Sequence, residues 1–176
     1  MAQAALSSTP DSAPPMPALR MDRLLSWLSN PAIRLAHMLR AMPGYDVVNH
    51  VGLSLHEATT DLLWIVSCSS PQDGVREVEM KNVPSLSLLV GSVEPRIIPD
   101  LAEFNGESRF LSTGAKMTHC RSSMTAPLYQ QGEFLGFVSF GARPPAFFGP
   151  DVRDMLAVYA EAFAILIMRG RDEVCA

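Results

Sequence analysis

The sequence has little positive charge and few cysteines. Its 14 lysines and arginines form no block or stripe, and its 18 acidic residues give a formal net charge of -4. The electrostatic footprint of a nucleic-acid-binding protein is therefore missing. The three cysteines, Cys68, Cys120 and Cys175, are widely spaced and include no CxxC pair, which argues against a disulfide framework or a structural zinc site. We expect a protein of the reducing cytosol that does not bind nucleic acid directly.

Long apolar segments are also absent. The best candidate, MLAVYAEAFAILIM, is interrupted by Glu161 and is shorter than the roughly 18 apolar residues that indicate a membrane span. The leader AQAALSSTPDSAPPMPALR has neither the cationic start nor the apolar block of a signal peptide. The sequence thus predicts no membrane segment and a flexible tail over residues 1–20.

Motifs of the common enzyme classes are missing as well. The sequence contains no nucleophile elbow, Gly-rich phosphate loop or HExxH helix, which are the arrangements that position a nucleophile, a phosphate or a metal. His50 and His56 are six residues apart, which is not the i, i+4 spacing of a metal pair on one helical face. We therefore expect these histidines to be structural or exposed and the protein not to be an enzyme.

The composition is that of a folded globular domain. Hydrophobic residues make up 48% and charged residues 18% of 176 residues, far from the pattern of a disordered chain. This length suits one domain with a sizeable core. We expect a single domain over residues 21–170 and a tail, or the start of a linker to an output domain, over residues 171–176.

The first half of the sequence predicts helices followed by a hairpin. Apolar residues recur at near-helical spacing over residues 21–30 and again after Pro31, and the spacing in VVNHVGLSLHEATT predicts a third helix over residues 47–60. LLWIVSCSS and VREVEM, joined by the turn PQDG, predict two strands. A short helix over residues 86–93 and an extended IIPDLAEF segment are expected next.

The second half predicts a hairpin and a long helix. In SSMTAPLYQQGEFLGFVSF the strands alternate about a Gln131-Gly132 turn. DVRDMLAVYAEAFAILIMRGRDEV then has apolar residues on one helical face and, through Met155, Ala162 and Ile165, on the other. Either another helix of the same chain or a second subunit is expected to cover that far face.

Three strings in this order resemble the GAF domain family. SVEPRIIPDLAEF is similar to the family's segment ending in proline, two aliphatics and aspartate, MTAPLYQQGEFLGFVSF to its proline-containing hairpin, and PPAFFGPDVRDMLAVYAEAFAILI to its terminal helix. The resemblance covers roughly residues 31–169. It implies an α+β fold in which an antiparallel sheet of five or six strands carries the terminal helices on one face. It also implies homodimerisation through the N- and C-terminal helices, and a small-molecule pocket on the other face, under the connector.

The resemblance places a set of aromatic and polar side chains at this pocket by position. They are Trp64, Phe104, Arg109, Phe110, Met117, His119, Cys120, Arg121, Ser123, Thr125 and Phe140. Arg109 and Arg121 could clamp a carboxylate or phosphate, although an arginine in a solvated loop is the simpler reading. Cys120 beside Arg121 could be a redox-sensitive thiol or a small packing residue.

The sequence is compatible with several classes of ligand. The signatures of cyclic-nucleotide and bilin binding in the family are missing here, which disfavours both. His119 lies where some haem-binding members hold iron, so haem is an alternative, with a solvated loop histidine as the simpler reading. A free methionine sulfoxide reductase is a second alternative, but it would need more cysteines near the pocket than Cys120. A dimerisation module with an empty pocket is the third. We expect a regulatory domain that senses a small molecule.

Overall fold

The computed structural model describes residues 31–67, 75–104 and 119–175, and side chains up to Arg169. Two single turns of 3-10 helix lie at Met80–Asn82 and Leu101–Phe104. The other elements, in chain order, are helix α1 (Pro31–Arg40), strands β1 (Val48–Glu57), β2 (Leu62–Ser67) and β3 (Arg76–Glu79), the short helix α2 (Pro84–Ser87), strands β4 (Arg96–Ile98), β5 (Ser122–Gln130) and β6 (Glu133–Ala142), and helix α3 (Pro150–Cys175).

The strands form one antiparallel sheet of six strands in the order β3-β2-β1-β6-β5-β4. This confirms the α+β fold class with a sheet of five or six strands. The β5–β6 hairpin turns at Gln131 and Gly132, whose φ angles of 52° and 83° are both in the left-handed region that a two-residue hairpin turn requires. The predicted helix over residues 21–30 and the PQDG turn lie outside the described residues.

The predicted helix over residues 47–60 is wrong, because this segment is the central strand β1. Apolar Val51, Leu53 and Leu55 alternate with shorter or polar side chains at the even positions, which is the period-two pattern of a strand with two different faces. Long-range pairing with β2 on one side and β6 on the other overrides the near-helical spacing of its apolar residues.

Helices α1 and α3 cover one face of the sheet. Leu35 and Leu39 of α1 and Leu156 and Ile167 of α3 are buried in the same core as apolar residues of the central strands. α3 begins at Pro150, where proline's fixed φ suits the first helical turn. It ends at Cys175, in agreement with the long helix predicted from DVRDMLAVYAEAFAILIMRGRDEV. None of the helices within the described part of the chain has the length and hydropathy of a membrane span.

Candidate functional site

The strand register assigns each side chain to one of the two faces of the sheet. Directly opposed residues of neighbouring strands point to the same side. Phe140 lies opposite Val51 on β1 and Met124 on β5, and all three are buried in the core beneath the helices. The residues that alternate with them therefore lie on the opposite face, away from α1 and α3.

One end of this opposite face has an apolar cover. Leu63 of β2 and Phe137 of β6 pack with Val83 and Leu89, which flank the short helix α2. These side chains form a second core cluster of their own. The segment around α2 is thus held by ordinary apolar burial, and this end of the face is filled.

The other end carries short and polar side chains. Gly52, Ser139 and Thr125 form one row across β1, β6 and β5, and the next row along the sheet is built in the same way. Together the two rows define the polar floor, which consists of His50, Gly52, Ser123, Thr125, Ser139 and Gly141. Its outer edge is β4, where Arg96 lies opposite Thr125 and donates from Nη1 to the Ser85 carbonyl oxygen at 2.6 Å.

Both glycines of the polar floor are positions of close approach. A Cβ placed on Gly52 would lie 2.7 Å from the Ser139 Oγ and 3.3 Å from the His50 Nε2. A Cβ on Gly141 would lie 2.5 Å from the Cys120 Sγ and 3.1 Å from the His50 Cβ. The absence of side chains at these two positions is what lets the hydroxyl, imidazole and thiol groups converge.

Cys120 borders the polar floor at the start of β5. Its half-buried thiol donates a hydrogen bond to the Asn49 Oδ1 at 3.1 Å, and its side chain lies over Gly141. The site therefore combines a thiol, an amide, an imidazole and several hydroxyl groups. Such a set suits the recognition of a small polar molecule by hydrogen bonds.

His50 is buried and neutral. Its side chain is 2% exposed, and this burial lowers the pKa of the imidazole from 6.5 to about 4, because desolvation disfavours the charged form. At neutral pH the ring thus offers one donor and one acceptor nitrogen.

We expect acid to destabilise the fold through His50. Between pH 6.5 and pH 4 the unfolded chain binds a proton that the folded chain does not, so stability is complete above pH 6.5 and falls as the pH drops. The expected loss from pH 7.5 to pH 5 is about 2 kcal/mol. Urea unfolding at both pH values should show this loss in the wild type and in the exposed control His37→Gln, but much less of it in His50→Gln. An equal loss in all three proteins would contradict the assignment.

The structure brings three of the predicted site residues to the polar floor or its border, namely Ser123, Thr125 and Cys120. Trp64 and Phe140 require a correction, since both are buried on the helical face and belong to the core there. The Trp64 indole donates to the Glu57 carboxylate at 3.4 Å on that side. Neither side chain can line a pocket on the other face.

Two further predicted residues lie at the surface. His119 is exposed, with a left-handed φ of 53°. Arg121 is exposed too, and its Nε donates to the Asp100 Oδ1 at 2.9 Å. Phe104 ends a 3-10 turn, and Arg109, Phe110 and Met117 lie outside the described residues.

The Arg121 side chain forms an ion pair with the Asp100 carboxylate at the surface. Its hydrogen bonds, followed by one from the Ala102 amide, lower the pKa of the Asp100 carboxyl, and the same carboxylate raises the pKa of the guanidinium. Next to this ion pair, the Leu101 amide donates a hydrogen bond to the Arg121 carbonyl oxygen at 2.6 Å, which joins the two main-chain segments. Arg121 thus fastens the turn at Leu101–Phe104 to β5.

The residues of β1 and β6 on the polar floor were not predicted from the sequence. His50, Gly52, Ser139 and Gly141 were not expected at the site. Two signals in the sequence could have found them, namely the alternation of apolar with small or polar residues in VNHVGLSLHE and the small residues on one side of FVSFGA. Glycine inside a strand pattern is also typical of close backbone approach.

Elsewhere the chain has a shallow groove of about 210 Å³ between β5 and α3. Val93, Pro95, Tyr129 and Glu161 are among its lining residues, and no predicted site residue borders it. Within residues 31–67, 75–104 and 119–175, no three His, Cys, Asp or Glu side chains are grouped so that they could hold a metal ion.

A family model described as the GAF domain matches residues 17–167 of this chain. Among curated proteins, no sequence matches significantly. The solved structures that it resembles include three of particular interest, each at an identity that shows the fold alone.

A type II free methionine-R-sulfoxide reductase from Thermoplasma acidophilum superposes with a TM-score of 0.61 at 17% identity, over 85% of this chain and 96% of that one. The GAF domain of a two-component sensor histidine kinase from Bacillus halodurans gives 0.60 at 13% identity, over 82% and 94%. The GAF domain of a phosphoenolpyruvate-protein phosphotransferase from Coxiella burnetii gives 0.59 at 13% identity, over 90% and 99%.

Proposed function

The chain belongs to the GAF domain family, and from this premise we propose that it is a sensor whose polar floor binds a small molecule. Binding changes how α1 and α3 pack on the sheet, and these helices pass the signal on within a homodimer. The domain has no catalytic step of its own in this proposal.

The observation that carries the proposal is the contrast between the two ends of the second sheet face. Where Leu63 and Phe137 lie, the face is packed with apolar side chains. At the polar floor, glycine and hydroxyl residues stand at positions where larger apolar residues would have formed a core. Short side chains leave room for a ligand, and hydroxyl groups can orient it through hydrogen bonds.

Charge on this face narrows the class of ligand. No strand residue with a described side chain on this face carries a carboxylate, whereas Arg96 lies at the edge of the polar floor. Carboxylates would repel an anion, and guanidinium attracts one. We therefore propose a small polar ligand that is neutral or anionic.

The same strands link the polar floor to the helices. Ser139 lies on the polar floor, and the next residue, Phe140, is buried in the core beneath α1 and α3. A shift of β6 that accompanies ligand binding must therefore move side chains that pack against the helices. This alternation supplies a direct physical route between the two faces.

A thermal-shift screen of the purified protein against small polar compounds tests the proposal. We expect a compound that raises the melting temperature, because a ligand at about 100 times its dissociation constant stabilises the folded state by about 2.7 kcal/mol. Native mass spectrometry of the same sample should show one bound molecule per chain. The absence of any stabilising compound and of any bound mass would support an empty pocket and overturn the proposal.

One spectroscopic result and one kinetic result would each point to a different function. A Soret band that disappears in His119→Ala would establish haem as the ligand. Turnover of free methionine sulfoxide that is lost in Cys120→Ser would make the protein an enzyme. Either result would contradict a polar, non-catalytic sensor site.

A further inference from the structure

The groove between β5 and α3 has apolar walls made of small side chains. Ala126 of β5 and Ala157 and Ala160 of α3 line it, together with Val93 and Pro95, which precede β4. Its volume of about 210 Å³ is smaller than the roughly 300 Å³ at which pockets for small molecules begin. The groove therefore suits one apolar side chain of a polypeptide rather than a complete small-molecule ligand.

The wall of the groove that precedes β4 is held in place by hydrogen bonds. The Gly91 amide donates to the Tyr129 hydroxyl oxygen at 2.6 Å, and the Glu94 amide donates to the Ser92 Oγ at 3.2 Å. Val93, between these bonds, is nevertheless 85% exposed. An apolar side chain on a restrained backbone loses little conformational entropy when a partner covers it, which is typical of a docking surface.

The charge at the groove is negative. Among the described residues that line it, Glu161 alone is charged, and its carboxylate makes no ion pair with any side chain that the structure describes. Glu94 lies between two lining residues, Val93 and Pro95, and is exposed. An apolar groove beside two carboxylates is complementary to an apolar side chain followed by a cation.

The N-terminal leader of this chain has that pattern. Leu19 is followed by Arg20, and Arg23 comes one turn of sequence later, whereas the C-terminal sequence GRDEVCA has more acidic than basic residues. Pro15 and Pro17 restrict the backbone ahead of Leu19, which lowers the conformational entropy that docking removes. Of the two terminal segments, the leader is therefore the one that fits.

The leader is also close enough to reach the groove. Residues 21–30 separate Arg20 from Pro31, where α1 begins on the same face of the sheet as α3. Ten extended residues span up to about 35 Å, and a domain of this size has a radius of gyration of about 14 Å. This span is comparable with the width of the whole domain.

We propose that the end of the leader docks in this groove of its own chain, with Leu19 between β5 and α3 and Arg20 beside Glu161. The docked leader bridges α3 and the segment ahead of β4, and so restrains α3 against the sheet. The groove is separate from the polar floor, and ligand binding is measured separately, so failure of one proposal leaves the other testable.

Trypsin cleavage of the full chain after Arg23 measures docking, because a protease cuts the undocked form. We expect the initial rate to be at least about tenfold lower than for a synthetic peptide of residues 14–30. Leu19→Ser should raise the rate at least about tenfold through loss of the buried leucine, whereas Leu6→Ser, the same change earlier in the leader, should not. Wild-type cleavage as fast as that of the peptide would overturn the proposal, and so would slow cleavage that Leu19→Ser leaves unchanged.

A charge-reversal cycle tests the contact with Glu161. Glu161→Arg should speed cleavage after Arg23 about fivefold, and in the Arg20→Glu background the same change should slow it, because opposite charges then face each other again. Glu77→Arg, in β3 at the other edge of the sheet, should have neither effect. A change of the same sign in both backgrounds would overturn the pairing. Protection that rises with protein concentration would place the leader of a second copy in the groove and overturn docking within one chain.

Discussion

Replacing Gly136 with alanine is expected to lower the free energy of unfolding by about 3 kcal/mol. Gly136 has a φ of 137°, a conformation that residues with a Cβ rarely adopt. A Cβ there would also overlap the carbonyl oxygen of Ser54 and lie 3.0 Å from the Leu55 Cα. Both neighbours are backbone atoms of β1, so the clash can be relieved only by separating β6 from β1 at the centre of the sheet.

Gly132→Ala is the matched control for this prediction. Gly132 also has a positive φ, of 83°, but a Cβ there would have nothing within 4 Å. Gly132→Ala should therefore lower the free energy of unfolding by only about 1 kcal/mol, which is the backbone strain of a left-handed alanine. Urea unfolding of both variants measures the difference. Equal losses would mean that the close approach of β1 and β6 contributes nothing, and the register of the central strands would need revision.

Filling the polar floor is expected to abolish ligand binding. Ser139 lies in the middle of a polar row, between Gly52 and Thr125, and leucine there would occupy the space above the sheet and remove a hydroxyl group. We expect the affinity of Ser139→Leu for a stabilising compound to fall at least about 100-fold, equivalent to about 2.7 kcal/mol.

The adjacent residue supplies the control for Ser139→Leu. Phe140 points to the helical face and is buried there. Phe140→Leu should lower the free energy of unfolding by about 1 to 2 kcal/mol, through lost packing, and leave the affinity within about threefold. Calorimetric titration of both variants, with unfolding curves as a check of the fold, separates loss of binding from loss of stability. If Phe140→Leu weakened binding more than Ser139→Leu, the two faces would be assigned the wrong way round.

The β5–β6 hairpin could be predicted from the sequence because its information is local. Alternating side chains and the Gln131-Gly132 turn lie within one short segment, and the structure has strands where they were expected. β1 could not be predicted in the same way. Val51 and Leu55 fit helical spacing as well as strand alternation, and the pairing with β2 and β6 that decides between them is remote in sequence.

The candidate site was predictable only in part, for a related reason. Ser123 and Thr125 follow from the hairpin, and the structure places both on the polar floor. Trp64 and Phe140 were placed on the wrong face, because a shift of one residue in strand register moves a side chain to the other side of the sheet. His50 was assigned to a helix, so its burial among the floor residues could not be anticipated.

A crystal structure of the protein with a compound that raises its melting temperature would show directly which face of the sheet binds the ligand. We expect one molecule on the sheet face opposite α1 and α3, within hydrogen-bonding distance of Ser139 or Thr125. Phe140 should lie on the far side of the sheet from that molecule. A compound bound instead in the groove between β5 and α3, or on the helical face, would contradict the assignment of the polar floor as the ligand site.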